Sequence, residues 1–383
     1  MKARDVYRLV KEQLSECEVD YFDTQEFQNN KMKILNALKE YKKMSRIAIV
    51  AYDTNPAICS SMMMHVDMMA DCGHDIVMLL QNKIDRNLFR DYNYKIENFE
   101  RPSELSYLFS KYEIEKVWCC TNVIYVLKLV HITKLPIYFW KQGDVAAESF
   151  MAHHSYLRKW ILQLIDAYTM RKFAGVIYVS DAMKEYYENK YGVRTKSIVV
   201  PCLSEFANSK VENVERIPNS FVYIGGLSVW QCFDEILKLY AKIRTDKSVF
   251  HIITLNTEAA RKKVIEIVGD DKNIEIYGIT DRTQIPSTLN KFEYGFLIRK
   301  NDVVNQVAAP IKFLEYLSCG VNVIMTDAVP SYAKLVEETN VGTVVDMNAK
   351  NITIKPYNSN AKEVYKKYFN RESYVDKYRS LLK

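Results

Sequence analysis

The sequence predicts an α/β fold of two doubly wound domains, and three observations carry that prediction. Short apolar runs alternate with helix-length segments along nearly the whole chain, the pattern of βαβ units that close into parallel sheets. The polar stretch from Ser204 to Asn219, which has no apolar period, breaks the alternation and reads as a linker. The 383 residues suit two domains of about 150–200 residues each.

Residues 1–45 are polar and helical in pattern, an extension ahead of the first strand. Strands are then expected at Arg46–Tyr52, Asp75–Gln81, Lys116–Cys120, Leu135–Trp140 and Val176–Ser180. One long helical pattern, from about Ala146 to Phe173, lies between the last two. Beyond the linker, strands are expected at Phe221–Ile224, Val249–Leu255, Ile274–Tyr277, Tyr294–Ile298, Val321–Met325 and Thr343–Val345. Ala361 to Lys383 reads as one or two helices with no strand to follow. The predicted boundaries are therefore an extension over 1–45, a first domain over 46–210 and a second over 211–360.

Composition narrows the function. The chain is 48% hydrophobic and 26% charged, ordinary for a globular enzyme. No apolar run approaches the roughly 20 residues that span a bilayer, and Met1–Arg8 lacks the apolar core of a signal peptide, so a cytoplasmic protein is expected. The eight cysteines are scattered with no Cys-x-x-Cys, which suggests neither a zinc site nor a disulfide framework. A net charge of +6 is mildly basic. The basic residues are not interleaved with stacking aromatics in a nucleic-acid-binding pattern, so no nucleic acid partner is expected.

The most informative stretch runs from Arg299 to Ile324. Pro310 suits the first position of a helix, and Gly320 suits its stop before the apolar run Val321–Met325. Ala309 stands where a capping side chain is usual and cannot accept from the orphan N–H groups. Lys312 is a cation in the first turn, the wrong sign for the helix dipole. An anion such as a phosphate bound there would resolve both oddities. Glu315, three residues on, would then face sugar hydroxyls; the alternative is a surface Lys312–Glu315 ion pair.

This Pro-x-Lys-x-x-Glu-Tyr-Leu-x-x-Gly pattern resembles the donor-site helix of GT-B glycosyltransferases of the large retaining class called group 1, or family 4-like. Phe221–Gln231, with Gly225 and Gly226, is similar to the strand and glycine turn that open the family's nucleotide-binding domain. Ala174–Lys184 is similar to the last strand of its first domain leading into a helix. The resemblance covers roughly 110–383. It implies two Rossmann-like domains facing a central cleft, with the 361–383 tail returning to an acceptor-side first domain and 211–360 binding a nucleotide-diphosphate sugar. It implies metal-free chemistry without a cofactor, a UDP-sugar being the favoured co-substrate. Lys312 and Arg299 would stabilise the leaving diphosphate. Glu315, Ala309, Pro310, Ile311 and Asn305 would line the donor, with Tyr277, Gly278 and Ile279 against the base. The family's usual basic pair after the glycine turn is missing from Leu227–Gln231, and Arg299 is the candidate replacement. The first of two glutamates spaced by seven falls on Val307.

In the first domain, Ala51–Pro56 stands where relatives carry a glycine-rich loop. Gly143, Asp144 and Glu148 follow the strand Leu135–Trp140 and are the acceptor-side candidates, with Asp144 the catalytic one. Asp144 reads at least as well as the cap of the helix that starts near Val145. His153 and His154 have no metal-ligand pattern around them. By analogy with the family, the acceptor is a glycan or lipid-linked glycan of bacterial surface polysaccharide, met at the inner face of the membrane. Basic residues in Lys31–Arg46 and around Tyr156–Phe173 would touch anionic lipid. The rival readings are a glycan- or nucleotide-binding partner subunit without turnover, and a GT-B sugar-nucleotide epimerase.

Overall fold

The computed structural model describes residues 45–52, 56–82, 84, 89, 94–204, 206 and 214–383. The expected helical extension lies outside the described residues except for Ser45, as do parts of the Ala51–Pro56 loop and of the Ser204–Asn219 linker.

Two sheets form. The first contains β1 (Arg46–Ala51), β2 (Asp75–Gln81), β3 (Lys95–Phe99), β4 (Lys116–Cys120), β5 (Ile137–Lys141), β6 (Gly175–Tyr178) and β7 (Ser197–Val199), in the order β3-β2-β1-β4-β5-β6-β7. The second contains β8 (Ser220–Ile224), β9 (Val249–Ile253), β10 (Ile274–Tyr277), β11 (Tyr294–Leu297), β12 (Asn322–Met325) and β13 (Gly342–Val344), in the order β10-β9-β8-β11-β12-β13. Pairing is parallel, as for β1 with β2 and β4, and for β8 with β9 and β11. Central strands such as β1 are buried almost end to end, as expected of parallel sheets covered on both faces. Both orders are those of doubly wound Rossmann-like domains, the fold class the alternation predicts.

Two strands escaped the sequence reading, β3 and β7. Each is only partly buried and lies at an outer edge of its sheet. Lys-Ile-Glu-Asn-Phe and Ser-Ile-Val therefore carry no long apolar run to mark them. The long helix expected from Ala146 to Phe173 is two helices, Val145–His153 and Tyr156–Met170. His154 turns left-handed (φ 52°) and donates its N–H to the Phe150 carbonyl, closing the first. The Ser155 hydroxyl then accepts from Arg158 N and opens the second.

The chain divides into two compact units. One holds the described residues up to Phe139, with Lys172–Gly175 and Glu372–Lys383; the other holds Trp140–Arg171 and Val176–Arg371. Within the first, the C-terminal helix Arg371–Leu381 buries Tyr378 beside His65, whose Nδ1 is in hydrogen-bond contact with the phenol. Lys116 Nζ donates to the Leu382 carbonyl. Within the second, Phe221, Tyr240, Phe250 and Phe296 pack around the sheet. Gly295 in β11 lets the Tyr316 ring lie against the strand, since a Cβ there would come within 2.8 Å of it. That close approach seats the helix Ile311–Ser318 on the sheet.

Candidate active site

In a doubly wound sheet, ligands bind outside the carboxyl ends of the strands, where the strand order reverses. In the second sheet that point lies between β8 and β11, which pair through Phe221 with Tyr294 and Val222 with Gly295. Gly225 follows β8, and Arg299 comes two residues after the end of β11. The candidate residues of the two segments therefore emerge side by side at one edge.

Gly225 has φ 139°, a region closed to most side chains. A Cβ on it would lie 2.4 Å from Lys312 Nζ. The missing side chain is thus the space that the Lys312 ammonium occupies. Gly226 is exposed, and its carbonyl accepts from the Tyr223 hydroxyl. Lys312 is 8% exposed, with Nζ 4.9 Å from the centre of the Tyr223 ring. Its hydrogen bond goes to Gln231 Oε1. Arg299 is also buried, and its Nη2 donates to the same Gln231 oxygen at 2.8 Å. Thr326 clamps the Arg299 backbone from both sides, its Oγ1 accepting from Arg299 N and donating to Arg299 O. Neither cation has a carboxylate partner within ion-pair distance among the described residues. Burial holds the Lys312 ammonium well below its ordinary pKa, and the nearby Arg299 charge lowers it further. Burial also lowers Arg299. Two buried cations sharing one neutral amide oxygen leave the site short of negative charge. That imbalance costs several kcal/mol until an anion enters.

The helix Ile311–Ser318 starts one residue later than the sequence reading placed it. Pro310 is the N-cap (φ −59°, ψ 119°), Ile311 is the first helical residue, and no side chain caps the turn. Ala309, buried, precedes it. A surface Lys312–Glu315 pair does not form: both residues are buried, and Glu315 Oε1 instead accepts from Arg282 Nη2 at 2.9 Å. Asn305 spends its amide on the turn, donating to the Lys300 carbonyl and to Asp302 Oδ2, each at 3.0 Å. Val307 is buried, and its carbonyl accepts from the Ser180 hydroxyl at 2.6 Å. Tyr277 ends β10, and Gly278 and Ile279 follow it. Gly278 passes close to the neighbouring β9 loop, where a Cβ would lie 3.3 Å from the Thr254 carbonyl. Lys300 pairs with Glu235 at the surface.

Gly143, Asp144 and Glu148 follow β5. A Cβ on Gly143 would collide with Glu148 Oε1, so the Glu148 carboxylate lies over that glycine. Burial raises the Glu148 pKa, and the Asp144 charge adds to the shift. Asp144 is buried and fully engaged: Oδ1 caps Ala146 N and Ala147 N, and Oδ2 accepts from Tyr186 and from Lys190, 2.9 Å away. Burial alone would raise its pKa, but the Lys190 and Tyr186 hydrogen bonds outweigh it and hold the carboxyl below its ordinary value. Behind it, Lys141 Nζ pairs with Asp166 at 2.7 Å, both buried.

Residues 205–355 match the family described as Glycosyl transferases group 1. The match spans the second sheet and the helix Ile311–Ser318. That stretch holds every candidate from Gly225 to Glu315. Solved structures share the fold at low identity. Sucrose-phosphate synthase from Thermosynechococcus elongatus aligns with a TM-score of 0.61 and 12% identity over 88% of this chain and 98% of its own. A glycosyltransferase from Rickettsia africae gives 0.58 and 11%, over 89% and 99%. Anabaena HepE, solved in complex with UDP and glucose, gives 0.58 and 13%, over 88% and 99%. No curated protein matches the chain. These likenesses make the architecture GT-B, two parallel-sheet Rossmann-like domains.

Gln231 and Arg282 are the participants the glycosyltransferase pattern did not supply. Gln231 ends the short turn Val229–Gln231, where the family pattern has a basic residue and this chain has an amide oxygen. Arg282 lies 33 residues before Glu315, and nothing in its local sequence marks it. Among the described residues no three His, Cys, Asp or Glu side chains gather as a metal site, and no helix is long and apolar enough to cross a membrane.

Proposed function

We propose that the chain is a retaining hexosyltransferase that moves a sugar from a nucleotide-diphosphate sugar, a UDP-sugar being favoured, to a glycan or lipid-linked acceptor. The carrying observation is the pair of buried cations, Lys312 and Arg299, that share only Gln231 Oε1. A diphosphate supplies the missing charge by displacing that oxygen. The uncapped turn at Pro310 adds backbone donors, and Glu315, steadied by Arg282, accepts from sugar hydroxyls of the donor.

As the bond between the sugar's anomeric carbon and the phosphate oxygen opens, negative charge grows on the diphosphate, where the two cations stabilise it. The acceptor hydroxyl forms the new bond to that carbon on the face the diphosphate leaves, and its proton passes to a phosphate oxygen. No carboxylate nucleophile and no metal take part in this scheme. Asp144 belongs to it as a positioning residue that holds the acceptor-side turn at Gly143 and Glu148. The setting we infer is bacterial surface polysaccharide synthesis, with the enzyme cytoplasmic and attached at the inner face of the membrane.

The test is release of free nucleotide from a panel of sugar nucleotides, with and without glycan acceptors, in the presence and absence of a chelator. Acceptor-dependent release that survives chelation, with the anomeric configuration kept in the product, is expected. Binding without release would leave a non-catalytic partner subunit. Release without acceptor, accompanied by an altered sugar, would indicate an epimerase. Loss of activity in chelator, restored by magnesium or manganese, would overturn the metal-free scheme.

A further inference from the structure

We infer that the helix Tyr156–Met170 is a docking surface for an anionic phospholipid membrane, entered by a defined stripe of six apolar side chains. Tyr156, Leu157, Trp160, Ile161, Leu164 and Tyr168 are each between 42% and 76% exposed. At 100° per residue they fall within an arc of about 140°, a continuous ribbon along one side of the helix. Scattered exposed hydrophobics are normal, but six on one helix face are not.

The rotation of the helix is fixed from the opposite side. Leu162, Asp166, Thr169 and Met170 are buried, and the Asp166 carboxylate is held by Lys141 Nζ at 2.7 and 2.8 Å. Turning the ribbon inward would drag that buried ion pair into solvent. The preceding helix braces the entrance, with the Phe150 ring 4.6 Å from Tyr156 and Lys159 Nζ 4.9 Å from the Phe150 ring centre.

Charge selects the occupant. Asp166 is the sole acidic residue of this helix, and it is buried against Lys141. The other charges of the helix and its C-cap are the cations Arg158, Lys159 and Arg171. Three of the six apolar residues are Tyr or Trp, which favour the boundary between headgroups and acyl chains. A second copy seated on the same face would bring like charges together across a two-fold interface. An anionic bilayer accepts both the ribbon and these cations. The inference deepens the membrane-side reading above and rests on it for its purpose, since attachment at the bilayer would bring the enzyme to a lipid-linked acceptor.

The experiment is co-sedimentation of the full chain with phosphatidylglycerol and with phosphatidylcholine vesicles at low and high salt. Wild-type protein should pellet with the anionic vesicles at low salt, and salt should release it. The triple variant Leu157→Ser, Trp160→Ser, Leu164→Ser should lose at least about tenfold in partitioning, and Arg158→Gln with Lys159→Gln should lose several-fold. Circular dichroism and sugar-nucleotide affinity, unchanged in both variants, serve as the fold control. Absence of binding to either vesicle, equal binding to both, or equal binding by wild type and triple variant would overturn the inference. So would a triple variant that changes only the oligomeric state seen by light scattering. Donor affinity is read separately, so vesicle binding without any sugar-nucleotide binding would sink the proposed function and leave the docking surface standing.

Discussion

The carboxyl edge of the second sheet and the segment after β5 both gather buried charge, and they balance it in opposite ways. After β5, Asp144 pairs with Lys190 and Lys141 with Asp166, while burial and the Asp144 charge push the Glu148 carboxyl toward its neutral form. Beside β8 and β11, Lys312 and Arg299 share a neutral amide. A balanced cluster holds its own elements together and has little left for a ligand. An unbalanced one keeps charge that a ligand could answer. The contrast makes the same kind of substitution do different things in the two regions, on activity in one and on stability in the other.

The largest expected effect is on turnover. Lys312→Ala and Arg299→Ala should each lower kcat by about two to three orders of magnitude, the scale of removing one preorganised contact to developing charge. Their melting temperatures should hold or rise, because a buried, poorly compensated cation is gone. Steady-state kinetics with parallel calorimetry checks both halves. A marked loss of stability with intact turnover would erase the contrast.

Asp144→Ala should do the reverse, costing on the order of 3 kcal/mol of stability by stranding the buried end of Lys190 and removing a helix cap. The Asp144 carboxyl titrates below its ordinary value in the folded state. Its contribution is therefore full above the ordinary carboxylate pKa and is lost as pH falls through the lowered folded value. Denaturant titrations from neutral to acid pH should show the gap between wild type and Asp144→Asn narrowing over that interval. A constant gap would mean that the carboxylate charge is not what holds this region.

Glu315→Ala should weaken sugar-nucleotide binding about ten- to hundredfold, equivalent to about 1.5–3 kcal/mol for a hydrogen bond to a charged group. Unchanged donor affinity by isothermal titration, in a folded protein, would remove Glu315 from the donor site. The smallest effect is a proton. Lys312 sits at a depressed pKa that a bound diphosphate must raise. Affinity should thus be full below the free-state pKa and fall as pH climbs from there toward the bound-state value. Titrations in buffers of different ionisation enthalpy should register proton uptake by wild type and less by Lys312→Arg. Equal uptake by both would place the titrating group elsewhere.

How much of this was legible in the chain follows from how each signal arises. The buried central strands announce themselves as apolar runs, and Pro310, Lys312, Glu315 and Gly320 mark one helix through local spacing alone. The edge strands β3 and β7 do not, because half-exposed edges need no apolar run. The break at His154–Ser155 was hidden because a left-handed histidine leaves no sequence mark of the kind a glycine leaves.

The sequence by itself determined the two parallel α/β sheets, the position of the glycine turn and the anomalous helix start. These depend on periodicity and on residues within one or two turns of each other. Only the tertiary structure decided which partners the charges take. Glu315 turned to Arg282 rather than to Lys312, Gln231 came to bridge Lys312 and Arg299, and Asp144 gained Tyr186 and Lys190 beyond the helix cap its sequence offered. Most of those partners are separated by 33 to 81 residues. Electrostatic energy depends on distance and burial in space, and neither can be read from separation along the chain.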